Sequence, residues 1–263
     1  MTSESENPHS TTQPPMAAPT AAVLLIGNEL LSGRTQDTNL AYMAQALAAH
    51  GIKMTEARIV PDIHTVIVDT VNVLREINTY VFTTGGIGPT HDDITADCIA
   101  EAFGVSIDIH PEAERRLMSY WTVRDLEPNE DRMRMARIPQ GAHLIDNPVS
   151  VAPGFRIDNV FVMAGVPRIM QAMFDSILPS LEKGAVIDSV SVSCNLGEGT
   201  IAGPLRALQE RFPDVDLGSY PRRVDGAFQV MLVARGVDAE QLQQVGLELQ
   251  ALVLGAGGEL IDQ

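Results

Sequence analysis

The run Ala21–Ile26 is apolar without interruption and is closed by Gly27, the pattern of a strand buried on both faces. Thr38 to His50 then changes period: Leu40, Met43, Ala44 and Leu47 fall on one helical face, and Gly51 stops the helix. Ile52–Val60 reads as a second strand ended by Pro61. Asp62 follows as a plausible N-cap for a helical stripe of Val66, Val73, Leu74 and Ile77. Tyr80–Thr84 is a third short strand running into a glycine turn, and Ile94–Phe103 resumes a helix with Gly104 behind it. A βαβαβα order of this kind predicts a parallel sheet with helices on both faces.

Glu112 to Gln140 is more charged and helical in parts, Val160–Ala164 is another core strand, and Pro167 starts a helix through Leu178. Near Glu182–Ala185 the pattern restarts with a strand (Val186–Cys194), a helix (Gly203–Phe212), a strand (Phe228–Ala234) and a helix (Ala239–Leu254). The chain therefore divides into a Ser-, Thr- and Pro-rich disordered tail at 1–20, an α/β domain at 21–183 and a smaller α+β domain at 184–263. The tail has no basic cluster and does not read as a signal peptide.

Composition narrows the function. The 263 residues are 45% hydrophobic and 20% charged, enough apolar material for a core. With 34 acidic against 18 basic side chains the net charge is −16, which argues against a nucleic-acid backbone as partner. No stretch reaches the ~18 apolar residues of a membrane span. Cys98 and Cys194, far apart and in apolar surroundings, read as buried free thiols of a cytoplasmic protein.

The densest chemistry lies in Thr83-Thr84-Gly85-Gly86-Ile87-Gly88-Pro89-Thr90-His91-Asp92-Asp93-Ile94-Thr95, where a strand gives way to a helix. Glycines let a phosphate meet main-chain N–H groups, and the helix points its positive end at the same place. Asp92 and Asp93 add hard oxygen ligands that suit a divalent cation such as Mg²⁺, bridging carboxylate and phosphate. The alternative is a tight turn with a carboxylate cap. Neither G-x-G-x-x-G nor a Gly-Lys-Ser/Thr loop is present, which disfavours a dinucleotide dehydrogenase and a P-loop NTPase.

A second cluster follows the first strand, with Gly27, Glu29, Ser32, Gly33 and Asn39 facing the same crevice. Glu29 is a metal ligand or a loop brace, Thr38 or Asn39 a ligand contact or a plain cap, and Asp62 a cap or a metal-binding, acid/base residue. His91 sits inside the motif. Arg34, Arg168, Arg222 and Arg223 read as surface arginines, and Met133 and Met135 as packing.

Together these clusters resemble the molybdopterin-binding MoaB/Mog family, and more closely the N-terminal domain of CinA proteins. The matching pieces are Gly27-x-Glu29-Leu30-Leu31-x-Gly33 with Thr38-Asn39, and Thr84-Gly85-Gly86-x-Gly88-Pro89-Thr90-x-Asp92-Asp93-x-Thr95. Pro128-Asn129-Glu130, Asn147-Pro148-Val149, Ala152-Pro153-Gly154-Phe155, Ala164-Gly165-Val166-Pro167-Arg168 and Ser219-Tyr220-Pro221 extend the likeness. The resemblance implies a three-layer α/β/α fold with a mostly parallel sheet. It also implies a pterin or nucleotide ligand and a homo-oligomer, dimer or trimer.

Mog-type relatives adenylylate molybdopterin, and CinA-type domains are associated with metal-dependent (Mg or Co) hydrolysis of ADP-ribose-like pyrophosphates. By that likeness Asp62 and Asp93 are catalytic, and Asp62, Asp92 and Asp93 bind metal. Gly27, Glu29, Ser32, Gly33, Asn39, Thr84, Gly85, Gly86, Gly88, Pro89, Thr90 and Thr95 line the ligand. A binding module without turnover is the remaining alternative, for which Asn28 speaks, standing where relatives carry Thr or an acid. The chain ends at Gln263, so the amidase domain of longer CinA proteins is expected to be missing.

Overall fold

The computed structural model describes residues 18–261, so most of the expected tail lies outside the described residues. Its last position, Thr20, is already in the first strand: β1 spans Thr20–Ile26. The first domain continues with α1 (Asn28–Leu31), α2 (Asn39–Ala49), β2 (Lys53–Val60), α3 (His64–Ile77), β3 (Tyr80–Thr84) and α4 (Thr95–Phe103). There follow β4 (Ile107–Ile109), α5 (Pro111–Val123), α6 (Glu130–Met133), β5 (Arg137–Pro139), β6 (His143–Ile145), β7 (Gly154–Ile157), β8 (Val160–Met163) and α7 (Pro167–Ile177).

The sheet order is β2-β1-β3-β8-β7-β6. The first four strands are parallel, and β7 and β6 add an antiparallel edge. β1 shows why its sequence is apolar throughout. Ala22, Leu24 and Ile26 enter one core with α3, α4 and α5, while Ala21, Val23 and Leu25 enter the other with α2 and α7. The second core is built on aromatic rings: Phe82 stands 5.2 Å from both Phe161 and Phe174, tilted against one and edge-on to the other. Tyr42 closes that layer by donating to Asp175 Oδ1 at 2.7 Å, which joins α2 to α7 and raises the tyrosine above its ordinary pKa.

Residues 182–187 carry no helix or strand. The second domain follows as β9 (Asp188–Cys194), α8 (Glu198–Arg211), β10 (Asp216–Val224), β11 (Ala227–Gly236), α9 (Ala239–Gly255) and β12 (Leu260–Ile261). Its antiparallel sheet has the order β10-β11-β9-β12 and packs α8 and α9 over one core. Both cysteines are free and buried, as the sequence implied. Among the described residues no helix is long and apolar enough to cross a membrane.

Three sequence expectations change. Asp62 does not cap α3, whose N-cap is Ile63 with no side-chain cap bond. At the start of α2 Thr38 occupies the N-cap position without a side-chain cap bond, and the Asp37 carboxylate instead accepts from the N–H groups of Asn39 (3.2 Å) and Leu40 (2.9 Å). The helix expected from Gly203 begins at Glu198, with Pro204 in its interior. Pro204 removes one N–H from the ladder, and the packing of Ile201 and Leu208 into the core holds the helix across that gap.

Two measurements follow. Phe82→Ala is expected to lower stability by about 3–5 kcal/mol, read from urea unfolding midpoints. Burial pushes the Cys98 thiol up to about 12, so a thiol reagent at about pH 8 should leave Cys98 unmodified in the folded protein and react with it in urea.

Candidate functional site

In the parallel part of the sheet Ile26 lies level with Val60, Leu25 with Thr84, and Thr84 with Met163. The chain leaves β1 outward to β2 and then crosses back to β3, so the helices after β1 and β2 pass to opposite faces. A crevice opens between β1 and β3 at their carboxyl ends, where open parallel sheets bind ligands. Here it is a cleft of about 490 Å³.

The glycine turn sets the cleft's floor. Gly85 and Gly86 have φ of +102° and +68°, and a Cβ on Gly85 would stand 2.2 Å from the Ile26 carbonyl oxygen. Thr95 fastens the turn from α4: its hydroxyl donates to Gly85 O at 3.0 Å and its N–H to Gly86 O at 3.0 Å. A Cβ on Gly88 would stand 2.6 Å from Asp93 Oδ2, so the absent side chain is what admits the carboxylate.

That carboxylate is held tightly. Asp93 Oδ2 accepts from the Thr90 N–H at 2.8 Å and from the Thr90 hydroxyl at 2.5 Å, and Arg134 Nη2 donates to the Asp93 carbonyl at 3.1 Å. Asp92 is exposed. The Thr90 hydroxyl, then its own backbone, hold its carboxyl below the usual range, although the Thr90 hydrogen bond that the geometry resolves goes to Asp93. Across the cleft, Asp62 Oδ2 accepts the N–H of Asn28 at 2.8 Å and ties the loop after β2 to the loop after β1. This contact uses the backbone of residue 28, so an asparagine there leaves it intact.

Gly27, Glu29, Asp62, Gly85, Gly86 and Gly88 line the cleft, joined by Thr90, Asp92 and Asp93. Six expected residues do not. Ser32 is exposed and donates to Glu29 O at 3.2 Å, and Gly33 is exposed with a φ of +70°. Thr84 and Thr95 are buried behind the turn. Asn39, also buried, gives its amide to Gly165 O at 2.8 Å. Pro89 lies in a neighbouring groove. Among the described residues no group of three or more His, Cys, Asp or Glu stands close enough together to hold a metal, so Asp62, Asp92 and Asp93 face one cleft without forming a ligand set.

Residues outside the expected site complete the wall. Thr35, Asn147, Ser150, Gly165 and Pro167 line it. Asn147 is buried and organises its loop: its amide donates to Ser150 Oγ (2.7 Å) and Ala152 O (2.8 Å), and its Oδ1 accepts from the N–H groups of Val149 and Ser150. Val151 in that loop has a φ of +70°, an uncommon conformation for a β-branched residue. The signal for these residues was present in the segments from Asn147 and from Ala164, whose residue types alone name no chemistry.

A family model described as a probable molybdopterin binding domain matches residues 22–183. The chain belongs to this family. A CinA-like protein of Salinibacter ruber is 33% identical over 74% of the chain, which spans 48% of that longer relative. The crystal structure of CinA from Thermoplasma acidophilum, 32% identical, matches with a TM-score of 0.57 over 62% of this chain and 98% of that one. A protein of Archaeoglobus fulgidus is 35% identical over 88% of the chain and 96% of its own length. Residues 187–256 match a second model, described as the middle domain of FAD synthase.

Gly85→Ala tests the floor of the cleft in this family member. It adds a left-handed penalty to a backbone clash and is expected to cost about 2–4 kcal/mol. Urea unfolding gives the loss, and Gly33→Ala, at an open position, is expected to cost less.

Proposed function

We propose that the cleft binds a pterin or nucleotide pyrophosphate and hydrolyses ADP-ribose-like pyrophosphates with the help of a divalent cation. The observation that carries the reading is Asp93, fixed by Thr90 above a glycine turn at the carboxyl ends of β1 and β3. Support also comes from the helices. α4 and α7 begin at this end of the sheet and direct their positive ends toward a bound phosphate. The family description supports a planar pterin ring, and the likeness of residues 187–256 to a FAD synthase domain supports a nucleotide.

The donor set fits a hard cation of the Mg²⁺ kind, which is commonly held by one or two carboxylates together with ligand phosphates and water rather than by an all-protein cage. Asp92 would hold it, with Asp62 facing it across the cleft, since both line the cleft while Asp93 Oδ2 is engaged by Thr90. When bound, the cation supplies charge neutralisation and Lewis acidity to the pyrophosphate. The chain's own residues do the rest. The main-chain N–H groups of the glycine turn orient phosphate oxygens. Asp93 Oδ1, which no described donor reaches, accepts the proton of a water attacking one phosphorus as the bridging P–O bond breaks.

The test is direct: the full chain is incubated with ADP-ribose and with FAD, each with Mg²⁺ and with Co²⁺, and nucleotide release is followed by chromatography. Turnover is expected, falling about 10²–10⁴-fold in Asp93→Ala. No turnover in any combination removes the hydrolytic reading. Calorimetric binding of a pterin in that case would leave a ligand-binding or adenylyl-transfer domain.

A further inference from the structure

A small cavity of about 20 Å³ adjoins the cleft and shares Gly86, Gly88, Asp93 and Met135 with it. Arg134 and Arg137 line it as well. The two guanidinium groups differ in what they meet. Arg137 is matched by Asp97 through two parallel hydrogen bonds of 2.9 and 2.6 Å. Arg134 reaches the Asp93 main-chain carbonyl through Nη2 at 3.1 Å, and its Nε is buried with no acceptor among the described residues.

The segment that carries Arg134 is fixed on both sides of it. Ala136 is fully buried, and its carbonyl accepts the His110 N–H at 2.8 Å. Met133 and Met135 pack on the first core. The guanidinium is thus held in place with a donor to spare. A buried donor on a charged group is costly to leave unmet, so such groups are met by protein or by ordered water. The cavity has room for one water and is too small for a phosphate group. Asp93 offers the second partner that a buried water needs. Its Oδ2 is taken up by Thr90, whereas no described donor reaches Oδ1.

We infer that this cavity is a site for one ordered water, which accepts from Arg134 Nε and donates to Asp93 Oδ1, and that Arg134 is a positioning residue for Asp93. The positioning role rests on the function given to Asp93 above. Arg134 then grips Asp93 twice, directly at the carbonyl and through the water at the carboxylate. Thr90 by itself holds one carboxylate oxygen and leaves the other free to swing about it. The water fixes the plane of the carboxylate. Because each carboxylate oxygen carries two lone pairs, Oδ1 keeps one for the cleft.

A crystal structure of the full chain, at a resolution that shows single waters, tests the site. A water within hydrogen-bond distance of both Arg134 Nε and Asp93 Oδ1 is expected. A protein acceptor on Nε, or no ordered water beside it, overturns the inference. Arg134→Lys keeps the charge and the reach to the Asp93 carbonyl but loses the rigid fork that serves carbonyl and water together. In its crystal structure the water is expected to be lost and the Asp93 carboxylate to be rotated. With ADP-ribose or FAD as substrate its kcat is expected to fall about tenfold while KM stays within about twofold. A wild-type kcat in this variant, even with a lowered urea midpoint, overturns the positioning role and leaves Arg134 a structural residue. If the wild type turns over neither substrate, the hydrolytic reading fails on its own account, and the two crystal structures still decide whether the water and Arg134 set the Asp93 carboxylate.

Discussion

Three loops meet backbone to backbone at the carboxyl end of the sheet, and the meeting depends on a missing side chain. A Cβ on Gly85 would lie 2.2 Å from the Ile26 carbonyl oxygen, and one on Gly165 would lie 3.2 Å from the Gly85 Cα. Loops after β1, β3 and β8 can approach this closely only because those positions carry hydrogen alone, and Gly85 can turn there only because it tolerates a φ of +102°. From that contact the rest of the site is placed. Thr95 clamps the turn, Gly88 makes room for Asp93, and Thr90 orients the carboxylate.

The acidic surplus of the chain is partly concentrated here. Glu29, Asp62, Asp92 and Asp93 face a cleft toward which α4 and α7 direct their amino-terminal ends. Carboxylates beside the glycine turn oppose an anionic ligand, and the helix ends favour one. Two of these positions are braced through backbone contacts. Asp62 is tied to the backbone of Asn28, and Arg134 to the backbone of Asp93. Such bracing keeps like charges near one another without requiring them to share a single ion.

The second domain shows how short-range signals and sheet position combine. β10 was not expected, because Pro221, Arg222 and Arg223 interrupt any apolar pattern. Its place at the sheet edge removes the difficulty, since an edge strand tolerates proline and charge. Asp225-Gly226, with φ of +50° and +82°, forms the two-residue turn that joins it to β11, and that dipeptide was visible in the sequence. The short strands β4 to β7 were missed for a different reason: three or four residues are too few to establish a period.

By itself the sequence determined the layers and the turn. The uninterrupted apolar run Ala21–Ile26, closed by glycine, suits a strand covered on both faces, and the glycines at the strand–helix junction suit a tight turn with positive φ. Tertiary structure alone decided which polar residues look into the cleft. Asp62 resembled a helix cap until the loop after β1 was seen to supply its partner, and Asn39 resembled a ligand until its amide was seen on Gly165. The opposing wall at Asn147 and Ser150 comes from an antiparallel edge far along the chain. Local patterns record which residue types a segment can bury, whereas the partner of a polar side chain is set by strand order, and strand order brings together positions that the sequence keeps far apart.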